Sequence, residues 1–362
     1  MSPRVAGIDP GTVTFGVCVL DDGSPVLDAS VPSPRLGAHP TELVETLVRH
    51  GPYDLVLGPS AYGLPLTAGR DVGPRELALM LLVRADERDT DMGIAGMRSI
   101  IRALVEAGLP LVFGPGVIHL PTVPPHRKWN RIDLGTADKV ASAALCIVDQ
   151  ARRLRLAYAD TSFVMVELGG AFTAAVAVER GRIVDGIGGS SGPIGARACG
   201  ALDAEVAYLL GGSLSKATVF SGGAIAPRGE HDLSAADGLE RLRRDPTCRD
   251  GWLALLEGAE KAALSLHASV RDLHEILVTG RLAWAPGVLD ELADRLAGVA
   301  PVRRAEGWAK DAKAAAQGAA VLADGIAGGR FAPVVESLRL REASGTALEH
   351  LRMDGADSIR PA

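Results

Sequence analysis

The feature that most constrains the fold is an internal repeat, in which a segment at the start of the chain matches one near its middle. The segment VAGIDPGTVTFGVCVLDDGSPV, from Val5, aligns without a gap with FVMVELGGAFTAAVAVERGRIV, from Phe163. Each copy reads as an apolar strand ending in a carboxylate, a glycine-containing turn, a second apolar strand and an acidic-x-Gly turn. Because a duplicated unit determines architecture more strongly than a short motif, we expect two related α/β lobes, each opened by one copy.

The length of 362 residues favours two domains, and an Ala-rich segment typical of a helix (136–156) precedes the second copy. We therefore predict an N-terminal domain over residues 1–140 and a C-terminal domain over 141–362, each a mixed β-sheet with flanking helices. Apolar periodicity predicts further helices at 41–50, 75–84, 96–107, 202–210, 252–271, 288–296 and 310–326, and strands at 54–58, 110–113, 218–220 and 275–279.

Composition limits the partners of the chain. Apolar residues make up 47% and charged residues 23%, and 38 Lys+Arg stand against 44 Asp+Glu. The net charge of -6 gives no overall positive field for nucleic acid or an anionic membrane, so neither partner is expected. With no basic-apolar leader at the N-terminus and four cysteines that form no C-x-x-C pair, we expect a cytoplasmic protein. The sequence leaves the oligomeric state open, a homo-oligomer included.

The glycine turn of the first copy is a candidate phosphate site. Successive backbone N–H groups of an Asp-Pro-Gly-Thr turn can hydrogen-bond phosphate without a cationic side chain, and the hydroxyl of Thr12 adds a donor beside Gly11. Asp9 would hold a hydrated magnesium ion. The alternative is an ordinary hairpin turn.

The second copy offers a matching turn. Here Glu167 stands in the position of Asp9, and the residues expected to contact phosphate are Gly169, Gly170 and Thr173. Two such turns that face each other across a cleft would grip one polyphosphate from both ends.

A third glycine lies where the apolar strand Ile276–Thr279 stops, at Gly280 and Arg281. In open α/β sheets ligands bind at the carboxyl ends of strands, so this turn is a candidate for the nucleoside part of a nucleotide. A strand followed by glycine is also the usual start of a plain loop.

The order of these turns along the chain resembles the superfamily of acetate and sugar kinases, heat-shock chaperone ATPases and actin, over nearly the whole length. Within it, the segments GIDPGT, HRKWNRIDLGTADKVASAAL and LVTGRLA resemble the family of predicted butyrate kinases. The resemblance implies two ribonuclease-H-like domains, an interdomain nucleotide cleft, and ATP with Mg²⁺ as cofactors. Relatives usually carry aspartate at the second turn, so Glu167 is a departure at the expected metal site.

Phosphoryl transfer requires positioning and charge neutralisation more than covalent chemistry. The segment 126–139 supplies both, with a basic cluster followed by a helix start at which Asp138 lies in the first turn. We predict that Asp138 orients the acceptor or holds magnesium, and that Arg131 and Arg127 neutralise phosphate or clamp a substrate carboxylate. The alternatives are compensation of the helix dipole by Asp138 and a solvated basic loop.

These residues predict an ATP-dependent kinase of a small-molecule acceptor, and the butyrate-kinase resemblance implies a short-chain carboxylate that would become an acyl phosphate. Three alternatives remain open: a kinase of an alcohol group, a nucleotide-dependent ATPase switch that presents a surface to a protein partner, and a degenerate fold that binds no nucleotide. The Pro59–Leu66 loop is a candidate wall of the acceptor pocket.

Overall fold

The structure is a computed structural model, and it describes residues 2–11, 14–87, 94–225 and 235–359. Two β-sheets and their helices make up these residues. None of the helices described there is both long and apolar enough to cross a membrane.

The first sheet belongs to the N-terminal part of the chain. Its strand order is β3-β2-β1-β4-β6-β5, in which β1, β4 and β6 run parallel and β2, β3 and β5 pair antiparallel to their neighbours. The strands are β1 (Arg4–Asp9), β2 (Thr14–Asp21), β3 (Ser24–Pro32), β4 (Leu55–Gly58), β5 (Gly63–Ala68) and β6 (Leu111–Pro115).

The second sheet repeats the first, with the order β11-β10-β7-β8-β9 and the same parallel and antiparallel pairs around β7. Its strands are β7 (Phe163–Leu168), β8 (Thr173–Glu179), β9 (Arg182–Ile187), β10 (Glu275–Thr279) and β11 (Val302–Arg304).

The repeat extends to the backbone register. Asp9 pairs with Gly16 in the first hairpin, and Glu167 pairs with Ala174 in the second, which are matching positions of the sequence alignment. The register irregularity after Val19 recurs after Ala177. The turns from β2 to β3 and from β8 to β9, at Asp22-Gly23 and Arg180-Gly181, also match. Both central residues of each turn have positive φ, as a tight hairpin turn requires. The predicted fold class, a duplicated mixed α/β fold, is confirmed.

Helices cover both sheets and fill the space between them. They are α1 (Ser33–Ala38), α2 (Thr41–His50), α3 (Pro74–Leu81), α4 (Ile94–Glu106), α5 (Pro125–Lys128), α6 (Ala137–Leu154), α7 (Ala204–Leu210), α8 (Lys216–Val219), α9 (Ala235–Arg244), α10 (Arg249–His267), α11 (Val288–Arg295), α12 (Ala314–Ile326) and α13 (Ala332–Ser337).

The core has three parts because each sheet is buried on both faces. Ala6 and Ile8 of β1 pack with α2, α3 and α4 on the outside of the first sheet, and β7 has a matching outer core with α9, α10 and α11. Val5 and Phe163 point the other way, into a central core that contains α6 and α12. The two sheets therefore enclose a shared pair of helices.

The central helices cross in unusually close contact. A Cβ on Gly318 of α12 would lie 1.8 Å from the carbonyl oxygen of Ala141 in α6, and a Cβ on Gly7 of β1 would lie 2.1 Å from the Ala320 nitrogen. Only glycine permits these approaches. As a result, α6 and α12 begin next to each other, between the two sheets.

One predicted strand is a helix, and the predicted domain boundary lies inside another helix. The strand predicted at 218–220 is wrong, because Lys216–Val219 forms the short helix α8, capped by the Ser215 hydroxyl. The predicted domain boundary after residue 140 falls within α6, and α12 packs on the first sheet although it follows the second in sequence; the division into 1–140 and 141–362 remains a prediction.

Candidate functional site

The turns after β1 and β7 face one cavity between the two sheets. The starts of α6 and α12 and the residues after β10 complete its wall. We call it the phosphate cavity. Its lining residues are Asp9, Pro10, Gly11, Thr14, Asp138, Lys139, Glu167, Gly169, Gly170, Ala171, Phe172, Gly280, Arg281, Lys313, Ala314 and Ala315.

The first turn holds a carboxylate against a lysine from the far end of the chain. Asp9 is 4% exposed, and its Oδ2 lies 2.8 Å from Nζ of Lys313, which is the residue before α12. A Cβ on Gly11 would lie 2.0 Å from the same Nζ. Glycine at this position therefore gives Lys313 its path into the cavity.

The second turn carries a larger network. Nζ of Lys139 lies 2.5 Å from both Oε1 of Glu167 and Oδ2 of Asp138. The other oxygen of Glu167 accepts a hydrogen bond of 2.8 Å from the Ser142 hydroxyl, and the other oxygen of Asp138 accepts one of 2.5 Å from the Thr136 hydroxyl. Glu167 and Asp138 are thus each bonded at both oxygens.

This difference in partners changes the carboxylate pKa values. Burial raises the pKa of Asp9, Lys313 opposes the shift, and the neighbouring charges of Asp138 and Glu167 add to it. Burial also disfavours ionised Asp138, but Lys139 and the Thr136 hydroxyl outweigh it, so the pKa of Asp138 is lowered. Asp138 is ionised at neutral pH, and of these two carboxylates Asp9 is the less stabilised as an anion.

Both central helices point their N-termini at the cavity. Asp138 and Lys139 lie in the first turn of α6, whereas the first turn of α12 contains no acidic residue and its N-cap, Lys313, makes no capping hydrogen bond through its side chain. Helix N-termini favour anions. Together with the two lysines, they form an anion-binding arrangement.

The third glycine turn closes the cavity on the side of the second sheet. Gly280 has φ of +87°, and a Cβ there would lie 2.3 Å from the carbonyl oxygen of Leu168, so only glycine fits between β10 and the second turn. Arg281 follows it and donates a hydrogen bond of 3.1 Å to the Thr14 hydroxyl of β2. This bond joins the two lobes across the cavity.

The cavity volume is about 140 Å³, below the ~300–1,000 Å³ of a typical ligand pocket. The cavity is therefore small for a complete nucleotide. A smaller adjoining cavity of about 30 Å³ shares Pro10, Asp138 and Ala315 with it and is lined by Pro59, Ser60 and Ala61. The start of the 59–66 loop therefore lies next to Asp138, while residues from Gly63 onward form β5.

Most residues predicted from sequence come together here, and some do not. The structure does not bring Thr173, Arg127 or Arg131 to the phosphate cavity, and Thr12 lies outside the described residues. Thr173 is buried at the start of β8, and its hydroxyl has no partner among the described residues. Asp9, Gly11, Asp138, Glu167, Gly169, Gly170, Gly280 and Arg281 all line the cavity.

Both arginines lie away from the phosphate cavity. Arg127 donates to the carbonyl oxygen of Val184 at 2.7 Å and lies 3.5 Å from the carboxylate of Asp185, so it is fixed against β9. Arg131 lines a separate cavity. The basic cluster at 126–131 is thus divided between two places.

Sequence reasoning assigned no role to Lys139, Ser142 or Lys313. Lys139 and Ser142 are three residues apart on α6, a spacing that places them on one side of a helix. Lys313 precedes an Ala-rich helix, and nothing in its sequence context links it to Asp9, 304 residues away.

The fit of a magnesium ion can be judged from the donor set. No group of three or more His, Cys, Asp or Glu residues lies close enough to hold a metal ion in the described parts of the chain. Mg²⁺ is, however, commonly held by one or two carboxylates, waters and substrate phosphate oxygens. Asp9 fits that pattern, because one lysine alone opposes its buried charge; Glu167, bonded at both oxygens, fits it less well.

Comparisons with known proteins identify a family and a fold. A family model described as "Protein of unknown function (DUF1464)" matches residues 7–353. A search of curated proteins finds no match. Among solved structures, a propionate kinase from Francisella tularensis subsp. tularensis SCHU S4 is 12% identical, with a TM-score of 0.61 over 88% of this chain and 99% of that one. An acetate kinase from Entamoeba histolytica is 11% identical, with a TM-score of 0.56 over 82% and 87%.

At such identities the structural matches establish the fold alone, whereas the family model covers nearly the whole chain. Over most of its length the chain has the same fold as the acetate kinase and the propionate kinase. The chain has this fold and belongs to the DUF1464 family.

Proposed function

We propose that the protein is an ATP-dependent small-molecule kinase that holds the phosphate tail of the nucleotide between its two glycine turns and transfers a phosphoryl group to a carboxylate. The observation that carries the proposal is the convergence of both turns, two lysines and two helix N-termini on one cavity.

In this proposal the lysines bind phosphate oxygens. Lys139 and Lys313 are ion-paired with carboxylates in the present structure, so an incoming phosphate competes with Glu167 and Asp9 for them. Asp9, with its charge less compensated, attracts a cation. Mg²⁺, when bound, would supply neutralisation of phosphate charge during transfer.

The acceptor class is inferred from Asp138. A general base works best with a pKa near the operating pH, and the surroundings of Asp138 lower its pKa instead. Asp138 is therefore suited to orienting groups rather than to removing a proton. A carboxylate acceptor is already ionised and needs no base, whereas an alcohol does, and this favours a carboxylate.

The named relatives agree with that class. The solved structures with the same fold include proteins named acetate kinase and propionate kinase, and the segments around Gly11, Asp138 and Gly280 resemble predicted butyrate kinases. We propose a short-chain carboxylate as acceptor and an acyl phosphate as product.

The test has two stages. Calorimetry with a non-hydrolysable ATP analogue and Mg²⁺ should show binding that Lys313→Gln weakens at least tenfold and that Lys261→Gln, at an exposed ion pair on α10, leaves unchanged. Formation of ADP from ATP is then followed with pools of short-chain acids and of alcohols, with hydroxylamine as the trap for acyl phosphate.

Each outcome is decisive. ADP and trapped acyl group that both depend on an acid support the proposal. Transfer to an alcohol, or slow hydrolysis with no acceptor, would replace it with the alcohol kinase or with the ATPase switch. Asp138→Asn should preserve transfer to a carboxylate; a loss of tenfold or more in turnover there would contradict the acceptor assignment.

A further inference from the structure

A second cavity lies apart from the phosphate cavity and shares no lining residue with it. Its volume is about 470 Å³, within the range of small-molecule sites. Its lining residues come from the segment that follows α3, the loop after α5, the helix α8 and two further segments. These are the glycine-rich loop after β9 (188–192) and the C-terminal segment (348–359). We call it the tail cavity.

Part of the lining of the tail cavity is apolar. Leu82 and Val83 come from the end of α3, Val219 from α8, and Leu351 and Met353 from the C-terminal segment. The side chain of Met353 is 59% exposed. An apolar wall with solvent-exposed side chains gains free energy when an apolar ligand covers it.

The lining also carries positive charge that is poorly compensated. Nζ of Lys216 lies 3.2 Å from the Tyr62 hydroxyl and 3.3 Å from the Leu82 carbonyl oxygen, both uncharged, and 4.8 Å from the centre of the Tyr62 ring. Within the described residues, neither Lys216 nor Arg131 forms an ion pair. Arg84, also in the lining, is paired with Asp86 and Glu87.

The single carboxylate of the lining is already committed. Asp133 accepts hydrogen bonds from the backbone N–H groups of Gly135 and Ser190, each at 3.0 Å, and from the Ser190 hydroxyl at 2.8 Å. It thereby fixes the glycine-rich loop and is not paired with Lys216. Burial lowers the pKa of Lys216 to about 8 despite Asp133 and Glu87, so the ammonium group is held where an additional anion would stabilise it.

We propose that the tail cavity binds a small organic anion with an apolar body, its charged group at Lys216 and Arg131 and its body against the apolar residues of the lining. Unbranched alkanoates are the simplest members of this class. The site does not depend on the proposed kinase activity, since the residues that hold the ligand are separate from those that hold phosphate.

The position of the site connects it to the phosphate cavity. Gly189 of the glycine-rich loop packs against Phe172, with a Cβ there only 2.7 Å from Cβ of Phe172, and Phe172 lines the phosphate cavity. Phe172 also packs edge to face against Phe220, which is next to Val219, with 4.7 Å between the ring centres. A ligand in the tail cavity therefore touches both elements that support Phe172.

The experiment is calorimetry of the full chain with acetate, butyrate, hexanoate and octanoate, without nucleotide. We expect saturable binding that tightens about fourfold for each added methylene that is buried. Lys216→Gln and Arg131→Ala should each weaken octanoate binding at least tenfold, while Lys261→Gln should not. Leu351→Ala should reduce the dependence on chain length.

Absence of saturable binding would overturn the proposal, and so would equal octanoate affinity in wild type, Lys216→Gln and Arg131→Ala. Thermal unfolding of each unliganded variant confirms that it is folded, and Arg131 is exposed, so its variant keeps the test valid if Lys216→Gln is unstable. ATP-analogue binding is measured on the same samples; its absence would contradict the kinase and leave the result for the tail cavity standing.

Discussion

The two glycine turns share a backbone but not an electrostatic environment. Asp9 and Glu167 occupy equivalent positions in the same register of two equivalent hairpins. Glu167 is bonded at both oxygens, by Lys139 and Ser142, whereas Asp9 has one lysine as its partner among the described side chains. The two copies therefore share the backbone of the turn but differ in the charged and polar side chains that contact its carboxylate.

The specialisation gives each turn its own task. At the second turn, Lys139 ties Glu167 to Asp138 and so joins β7 to α6. At the first, the pair of Asp9 and Lys313 is easier to separate, because burial already disfavours ionised Asp9. We infer that the second turn is the fixed half of the site and the first is the half that exchanges partners.

The strongest test of this asymmetry is Lys139→Met. It leaves Asp138 and Glu167 buried without their common cation, and breaking a buried ion pair costs ~3–5 kcal/mol. We expect the free energy of unfolding, measured by urea denaturation, to fall by about 4 kcal/mol, the middle of that range. Lys261→Met, at an exposed pair, should leave it unchanged; equal loss in both would refute the network.

Gly318→Ala should affect both turns together. Its Cβ would overlap the Ala141 carbonyl oxygen, so α6 and α12 must separate, and overpacking of this kind costs about 3 kcal/mol. Gly298→Ala is the matched control, since a Cβ there meets no atom within 4 Å. If Gly318→Ala unfolds at the wild-type urea concentration, the helices are not closely crossed.

Lys313→Met should have a smaller effect than Lys139→Met. One carboxylate is left without its cation, and Asp9 can take up a proton because its pKa is already raised; the expected loss is ~1–2 kcal/mol. The same denaturation series measures it. A loss larger than that of Lys139→Met would reverse the assignment of fixed and exchanging halves.

The smallest effect has the opposite sign. Because the folded-state pKa of Asp9 is raised, its ionisation costs stability as the pH rises through that pKa. Asp9→Asn should therefore raise the thermal unfolding midpoint at pH 7 while it weakens Mg²⁺-dependent binding of an ATP analogue. Glu167→Gln, which removes the same charge from the bonded carboxylate, should lower the midpoint. Midpoints that shift in the same direction would contradict the comparison.

Much of the fold could be predicted from the sequence, because the two copies of the repeat align without a gap. The alignment of Val5 with Phe163 predicts two hairpins, and the structure reproduces it down to the register and the turn conformations. The strand prediction at 218–220 is wrong because the segment has too few apolar residues to show a period. The Ser215 hydroxyl caps the segment and stabilises a helix there instead.

The site was only partly accessible. Glycines and carboxylates of the turns are adjacent in sequence to the strands that position them, so Asp9, Gly11, Glu167 and Gly280 could be found. Lys313 could not, since its approach to Asp9 depends on α12 packing against the first sheet. Arg127 and Arg131 were grouped with the site because they precede Asp138, but the chain turns between them and carries them to β9 and to the tail cavity.

The central claim is that both turns hold one phosphate tail. The most direct measurement is a crystal structure of the protein with a non-hydrolysable ATP analogue and Mg²⁺. We expect phosphate oxygens within hydrogen-bonding distance of both Lys139 Nζ and Lys313 Nζ. The adenine ring of the analogue should lie outside the cavity, beyond Arg281. A phosphate tail that contacts one lobe alone, or that lies outside this cavity, would contradict it.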